Sequence, residues 1–242
     1  MSDTEHPPLP WAGWPDEVGC NFAAGHLVRN LAQPLTGSDN RLHAETFIAA
    51  AGVLAGWGAH RSLLADPQAF PGPQMGIHVV TLKDGREMLY GDALNNRLMT
   101  NDPAKANLCV WNNLAGTAIG HGLAEEDLPD VGGLFRNVTE RMGGPLEGMP
   151  KTPEGHSQAL PARELLDRVL PVAMECLTGE ISEITKREGF AASEKSYQAV
   201  TAWTAAKILS QCCSVMLPAV ALIIGMENAI YGSKLGAPYH TR

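Results

Sequence analysis

The stretch ILSQCCSVMLPAVALIIGM, residues 208–226, runs for nineteen residues without a charge between Lys207 and Glu227. Its reading decides whether the chain spans a membrane or folds around a buried helix. A transmembrane helix needs about 20 predominantly apolar residues, so the run reaches the threshold. Its text argues the other way. Ser210, Gln211, Cys212, Cys213 and Ser214 make a weakly hydrophobic first third, and Pro218 interrupts the middle. Single lysines at Lys207 and Lys234 supply no orientation bias. The better reading is a helix enclosed by neighbours and therefore apolar all round.

Helical text resumes at Ser193 and continues through the run to about Tyr231, where Gly232, Gly236 and Pro238 stop it. One unbroken helix of that length would measure about 57 Å, whereas a compact domain of this size has a radius of gyration of only about 18 Å. The helix therefore breaks near Pro218, or it projects and a second subunit completes it. Further upstream, after Pro161, Leu166, Val169, Leu170, Ala173, Met174 and Leu177 recur on one side of a helical wheel, with Glu164, Asp167, Arg168 and Glu175 elsewhere. Pro171 should kink or divide that helix, since it lacks a backbone donor and crowds the preceding turn.

Towards the N-terminus, a helix over about 21–33 ends at Pro34 and the Thr36-Gly37-Ser38 turn, and Asp39 caps a second helix reaching about residue 64. In that second helix Gly52 and Gly56 lie four apart, as do Ala51, Ala55 and Ala59. The resulting face is nearly bare of side chains, so another backbone can approach it. Each glycine lowers helix propensity by about 1 kcal/mol, and close packing must offset that cost. A helix over 104–120 repeats the spacing with Gly116 and Gly120. The two notched helices are expected to pair, within one subunit or across an interface. A shorter amphipathic helix over 131–142 carries Leu134, Phe135 and Val138 along one side.

Between the notched helices the period changes. Residues 66–76 are rich in Pro and Gly, 77–82 read as a strand, Lys83-Asp84-Gly85-Arg86 as a turn and 87–90 as the return strand. Gly91-Asp92 then leads into a helix over 93–99. Two strands alone are marginal in water, so the hairpin must lie on helices or pair with its own copy across a dimer axis. Residues 143–160, dense in Gly and Pro, form the longest irregular segment, and a subdomain boundary would fall there. Residues 1–17 form an extended arm in which Pro7, Pro8 and Pro10 accompany Trp11 and Trp14. Those two rings need a surface, on this domain or on a sister subunit. The expected fold is mainly α: a multi-helix, bundle-like single domain over 1–242 with one β-hairpin at about residues 77–90.

Hydrophobic residues make up 45% of the chain and aromatic ones only 6%, so the interior is built from Ala, Leu, Val and Met. At 242 residues it can bury a substantial core without disulfides or structural metal. A net charge of -8 leaves no basic surplus for a phosphate backbone, which disfavours nucleic acid as a partner. Five cysteines, odd in number and mostly in apolar segments, fit buried thiols in a reducing compartment. Residues 1–10 lack the apolar core of a secretory signal. A cytoplasmic setting is the expectation, and the sequon at Asn137 is expected to stay unmodified.

Motifs for chemistry are thin. His43-Ala44-Glu45 resembles the His-x-Glu element of zinc deaminases, but the accompanying Pro-Cys-x-x-Cys element is missing, and the adjacent Cys212 and Cys213 would project about 100° apart on a helix. His26, His43, His60, His78, His121 and His156 form neither a His-x-x-x-His nor a Glu-x-x-His pair, so no metal site is expected. Cys109 and Cys176 sit in apolar text that would raise a thiol pKa. Gly-x-Ser-x-Gly, Gly-x-Gly-x-x-Gly and phosphate-loop motifs are absent, and no cofactor is implied. The least bland polar group is Asp92, Asn95, Asn96 and Arg97 after the hairpin, with Trp111, Asn112, Asn113 and His121 on the second notched helix. Asn112 and Asn113 need partners if buried, since an unsatisfied polar group costs about 1–3 kcal/mol. A helix–helix hydrogen bond would serve as well as a ligand.

Two functions follow from these residues. The first is association: a helical protein forming a homo-oligomer through the notches at Gly52, Gly56, Gly116 and Gly120, through the hairpin, or through the arm carrying Trp11 and Trp14. The second is a small-molecule-binding protein or enzyme with its pocket between the hairpin and the 104–120 helix, lined by Asp92, Asn95, Trp111, Asn112 and His121. Neither specifies a reaction.

Overall fold

The chain turns a corner inside the uncharged run. The computed structural model describes residues 16–37, 40–66, 76–181, 191–236 and 239; Trp11, Trp14 and the proposed cap Asp39 lie outside them. Among the described residues are eight α-helices and one two-stranded antiparallel hairpin. In chain order they are α1 (Asp16–Asn30), α2 (Ala44–Ala65), β1 (His78–Thr81), β2 (Glu87–Tyr90), α3 (Asp92–Leu98), α4 (Val110–Gly120), α5 (Val131–Arg141), α6 (Ala162–Leu177), α7 (Tyr197–Cys212) and α8 (Pro218–Lys234). The fold is mainly α, as the sequence implies. Helix α7 stops at Cys212, a turn closed by the Met216 N–H on the Cys212 carbonyl (3.0 Å) follows, and Pro218 stands in the first turn of α8. Proline suits that position because a first-turn N–H has no intrahelical acceptor to lose. Of the two expected outcomes the break is the one observed. No helix among the described residues is long and apolar enough to cross a membrane.

Helix α2 occupies the centre, with every residue from 46 to 60 buried. Helix α7 lies antiparallel along one side: Cys212 Sγ reaches the Ala44 carbonyl (3.5 Å), Thr201 packs on Gly58, and Ser62 Oγ donates to the Lys195 carbonyl (2.6 Å). Helix α8 runs parallel along the other. A Cβ added at Gly52 would overlap the Gly225 backbone, one at Gly56 the backbone of Ala229 and Ser233, and one at Gly232 the backbone of Val53. Small residues on both helices thus let the backbones touch, which accounts for three glycines in buried helix interiors despite their propensity cost.

This corrects the expected pairing of the two notched helices. The Gly52/Gly56 notch is filled by α8 of the same chain, and α4 does not enter it. Gly116 and Gly120 have no atom within 4 Å of an added Cβ. Helix α4 instead buries Val110, Leu114, Ala115 and Ala118, and at about 100° per residue its two glycines fall outside that face. Helix α4 also begins later than expected, at Val110, because Asp102 Oδ1 accepts the Ala104 N–H (3.0 Å) and a short 3-10 turn at Ala106–Leu108 intervenes. Pro171 does not divide α6.

The hairpin pairs Val79 with Leu89 and Val80 with Met88, and Gly85 supplies the left-handed residue of its turn, at φ 84°. It lies on helices. Met88 is fully buried in the main core, and Leu89 packs with Leu63, Ala93 and Leu94. The free edge of β2 is bridged by Leu235, with the Gly236 N–H on the Glu87 carbonyl (3.2 Å). Gly91, at φ 154°, admits no side chain because a Cβ there would overlap the Gly76 carbonyl. The irregular 143–160 segment is tied down along its length. Arg141 donates to the Met149 carbonyl (2.6 Å), the Lys151 N–H to Glu227 (2.8 Å), Gln158 to the Gly148 carbonyl (2.8 Å), and the Ala159 N–H to Thr46 Oγ1 (3.0 Å). It acts as a strap across α2, α5 and α8.

Candidate functional site

The sequence-derived site residues fall into two groups. Asp92 is exposed in the first turn of α3, and Asn95 follows one turn later. Trp111 is half-buried against the core, and Asn112 donates to the Thr100 carbonyl at 3.5 Å. Cys109 Sγ lies 3.8 Å from the Asn96 carbonyl, so α3 and the start of α4 are held together. There the Oδ1 atoms of Asn95 and Asn112 are buried and meet no hydrogen-bond donor. His121 is elsewhere. It caps the far end of α4, nine residues and about 13.5 Å beyond Asn112, where its Nε2 lies 2.8 Å from Ser210 Oγ on α7. Asn113 turns back to the Asn107 and Cys109 carbonyls (both 2.8 Å).

At the His121 end an open groove runs between α1, α4 and α7. Its volume is about 640 Å³, and it is lined by Gly25, Val28 and Arg29 of α1, Thr117 of α4, and Ala206, Lys207, Ser210 and Gln211 of α7. That volume falls in the usual range for small-molecule sites. Gly25 and Ala206 contribute little or no side chain to the lining. The charged lining is Arg29 and Lys207, with no carboxylate, and among the described residues neither has a carboxylate within salt-bridge distance. Other cations do: Arg61 pairs with Glu194, and Arg86 with Asp84 and Glu147 (each at 2.5 Å). His26, one turn before Arg29, is held below the ordinary imidazole range, first by burial and then by that guanidinium. The groove is a locally positive surface on a chain of net charge -8.

No family model, curated protein or solved structure matches this chain. The chemistry of its own residues therefore carries the functional reading. Among the described residues no cluster of three His, Cys, Asp or Glu side chains could hold a metal ion. In the His43-Ala44-Glu45 element, His43 caps α2 and Glu45 pairs with His156 at 3.1 Å. Burial pushes the thiols of Cys109 and Cys176 up to about 11 and that of Cys212 to about 12, which makes them poor nucleophiles at neutral pH.

One polar constellation was not anticipated from sequence. Glu227, Tyr231 and Lys234 lie at i, i+4 and i+7 on α8, opposite the small residues that meet α2. Glu227 is 2% exposed and accepts from Asn137 Nδ2 (3.0 Å) and the Lys151 N–H (2.8 Å); burial raises its pKa. Tyr231 donates to Glu147 (2.6 Å), which also takes two bonds from Arg86 and one from the Gly143 N–H. Burial alone would raise the Glu147 carboxyl, but those bonds outweigh it and hold it low. Lys234, 3% exposed, sits 4.4 Å above the Tyr90 ring and 5.7 Å from that of Phe135, and burial lowers its pKa to about 8. The available signal was three ionisable or hydroxyl residues at helical spacing inside otherwise apolar text.

Proposed function

We propose that this chain binds an anionic small molecule, carrying a carboxylate or phosphate, in the groove between α1, α4 and α7. The observation that carries the reading is the pair Arg29 and Lys207, two cations that among the described residues have no carboxylate partner and face one groove whose described lining contains no acid. Ser210, Thr117 and Gln211 supply hydroxyl and amide groups for orientation, and the bare walls at Gly25 and Ala206 admit a ligand close to backbone. This moves the ligand-binding alternative from the hairpin side of α4 to its other end, where His121 touches the lining only through Ser210. The test is calorimetric titration at low ionic strength with inorganic phosphate, pyrophosphate and citrate. Arg29→Ala and Lys207→Ala should each weaken binding by about tenfold, the scale of one charge-assisted hydrogen bond, and added salt should weaken it further. If no anion binds, or if the double variant binds as tightly as wild type, the reading fails.

A second reading is self-association through β1, supported by a different observation. Val79 and Val80 are 57% and 44% exposed, and because neighbouring strand residues point to opposite faces, both faces of β1 are uncovered. Its outer edge has no strand partner among the described residues. An antiparallel pairing of β1 with the same strand of a second copy would extend the sheet to four strands and set both valines beside cross-strand neighbours. Sedimentation at micromolar concentration tests it. Wild type should dimerise and Val79→Lys should not, and a wild type that stays monomeric throughout removes the reading.

A further inference from the structure

Beneath residues 148–150 of the strap lies a small, partly open cavity lined by Val138, Arg141, Glu227, Asn228 and Tyr231 together with the strap itself. It leaves about 10 Å³ for the centre of a water-sized sphere, which is room for one such sphere and no more. Asn228 is 2% exposed, and its amide orientation is fixed by its neighbours. Nδ2 donates to Gln158 Oε1 and to the Ile224 carbonyl, both at 2.8 Å, so exchanging the two amide atoms would forfeit both bonds. Oδ1 is then a fully buried acceptor that meets no donor. Glu227 beside it has taken one donor on each oxygen, and a carboxylate has about four lone-pair sites. Asn228 Oδ1 and Glu227 thus offer unused acceptor sites.

We infer that this cavity is a binding site for one internal water molecule, which donates one hydrogen to Asn228 Oδ1 and the other to a Glu227 carboxylate oxygen. Size excludes anything larger. Charge argues against a metal cation in its place, because the Arg141 guanidinium lines the same cavity and would repel one. A water relieves the orphaned acceptor and adds hydration to a carboxylate that burial has stripped of it, at an immobilisation cost of at most about 2 kcal/mol.

An atomic-resolution crystal structure of the full chain should show a single peak within hydrogen-bond distance of both Asn228 Oδ1 and Glu227. Water-oxygen relaxation dispersion in solution should register it as one slowly exchanging molecule, lost in Asn228→Leu, which has similar size and no acceptor. If Asn228→Leu fails to fold, Glu227→Gln, which replaces one carboxylate acceptor by a donor, should lose or displace the same molecule. An empty cavity, a peak that scatters anomalously after a thallous soak, or a water retained in place in the folded variant would overturn the inference.

Discussion

Helices α2 and α4 carry the same glycine spacing, Gly52/Gly56 and Gly116/Gly120, yet one notch is filled by a neighbouring backbone and the other faces open space. The difference lies in what surrounds each notch. Around Gly52 and Gly56 the helix is apolar on all sides, and its partner α8 offers Gly225, Ala229 and Gly232 in matching register. Around Gly116 and Gly120 stand Asn113, Thr117 and His121, whose polar groups are already engaged locally or with α7. Four-residue glycine spacing thus marks where close approach is permitted. The partner's own small residues decide whether it happens.

The largest expected effect comes from closing the filled notch. In Gly56→Ala the new methyl would meet backbone atoms of Ala229 and Ser233, and in Gly52→Ala those of Gly225. Backbone in a packed helix pair cannot yield as a side-chain tip would, so the helices must separate. Each variant should lose about 3 kcal/mol of stability, read as a lower urea midpoint. A wild-type midpoint in either would mean that α8 does not sit where it is described.

The opposite face of α8 gives a smaller, pH-dependent effect. Lys234 titrates near 8 in the folded chain against an ordinary 10.5, so between those values the unfolded chain holds a proton that the folded chain has released. Stability therefore rises with pH across that window, by at most about 1.4 kcal/mol per pH unit; below pH 8 the lysine is charged in both states and the burial cost is fully present. Lys234→Met should lose this rise. Urea midpoints of wild type and variant measured from pH 7 to 10.5 provide the check, and two parallel curves would show that Lys234 keeps its proton when folded.

These contrasts also mark how far the sequence could be read. The corner at Pro218 was legible because proline has a fixed φ and no donor, and chain length forbade one straight helix. The hairpin was legible from its change of period and its Asp84-Gly85 turn. Which notch would be filled was not, since that depends on α8 bringing Gly225 and Gly232 alongside α2, a matter of register between segments about 170 residues apart. The groove was illegible for the same reason. Arg29 and Lys207 sit on helices far apart in the chain, and only the packing of α1 on α7 aligns them. His121 could be singled out as polar at a helix end, but its partner Ser210 lay inside the stretch that first read as a membrane candidate. The polar row on α8 was readable in principle from its i, i+4, i+7 spacing and was obscured by the apolar residues around it.

The smallest effect has the opposite sign from the first and tests the open notch directly. Gly116 lies inside α4 at a helical backbone conformation, and a methyl there would touch nothing within 4 Å. Alanine restricts the unfolded chain more than glycine does and fits the helix better, so Gly116→Ala should raise stability by about 0.5–1 kcal/mol. The same chemical change at equal spacing would then destabilise α2 and stabilise α4. The measurement also bears on association. If the α4 notch were covered by a second copy, Gly116→Ala would weaken the dimer while leaving the isolated chain more stable, and the two effects would separate as the urea midpoint is followed with protein concentration. A concentration-independent gain would leave the Gly116/Gly120 face open and confine self-association to β1.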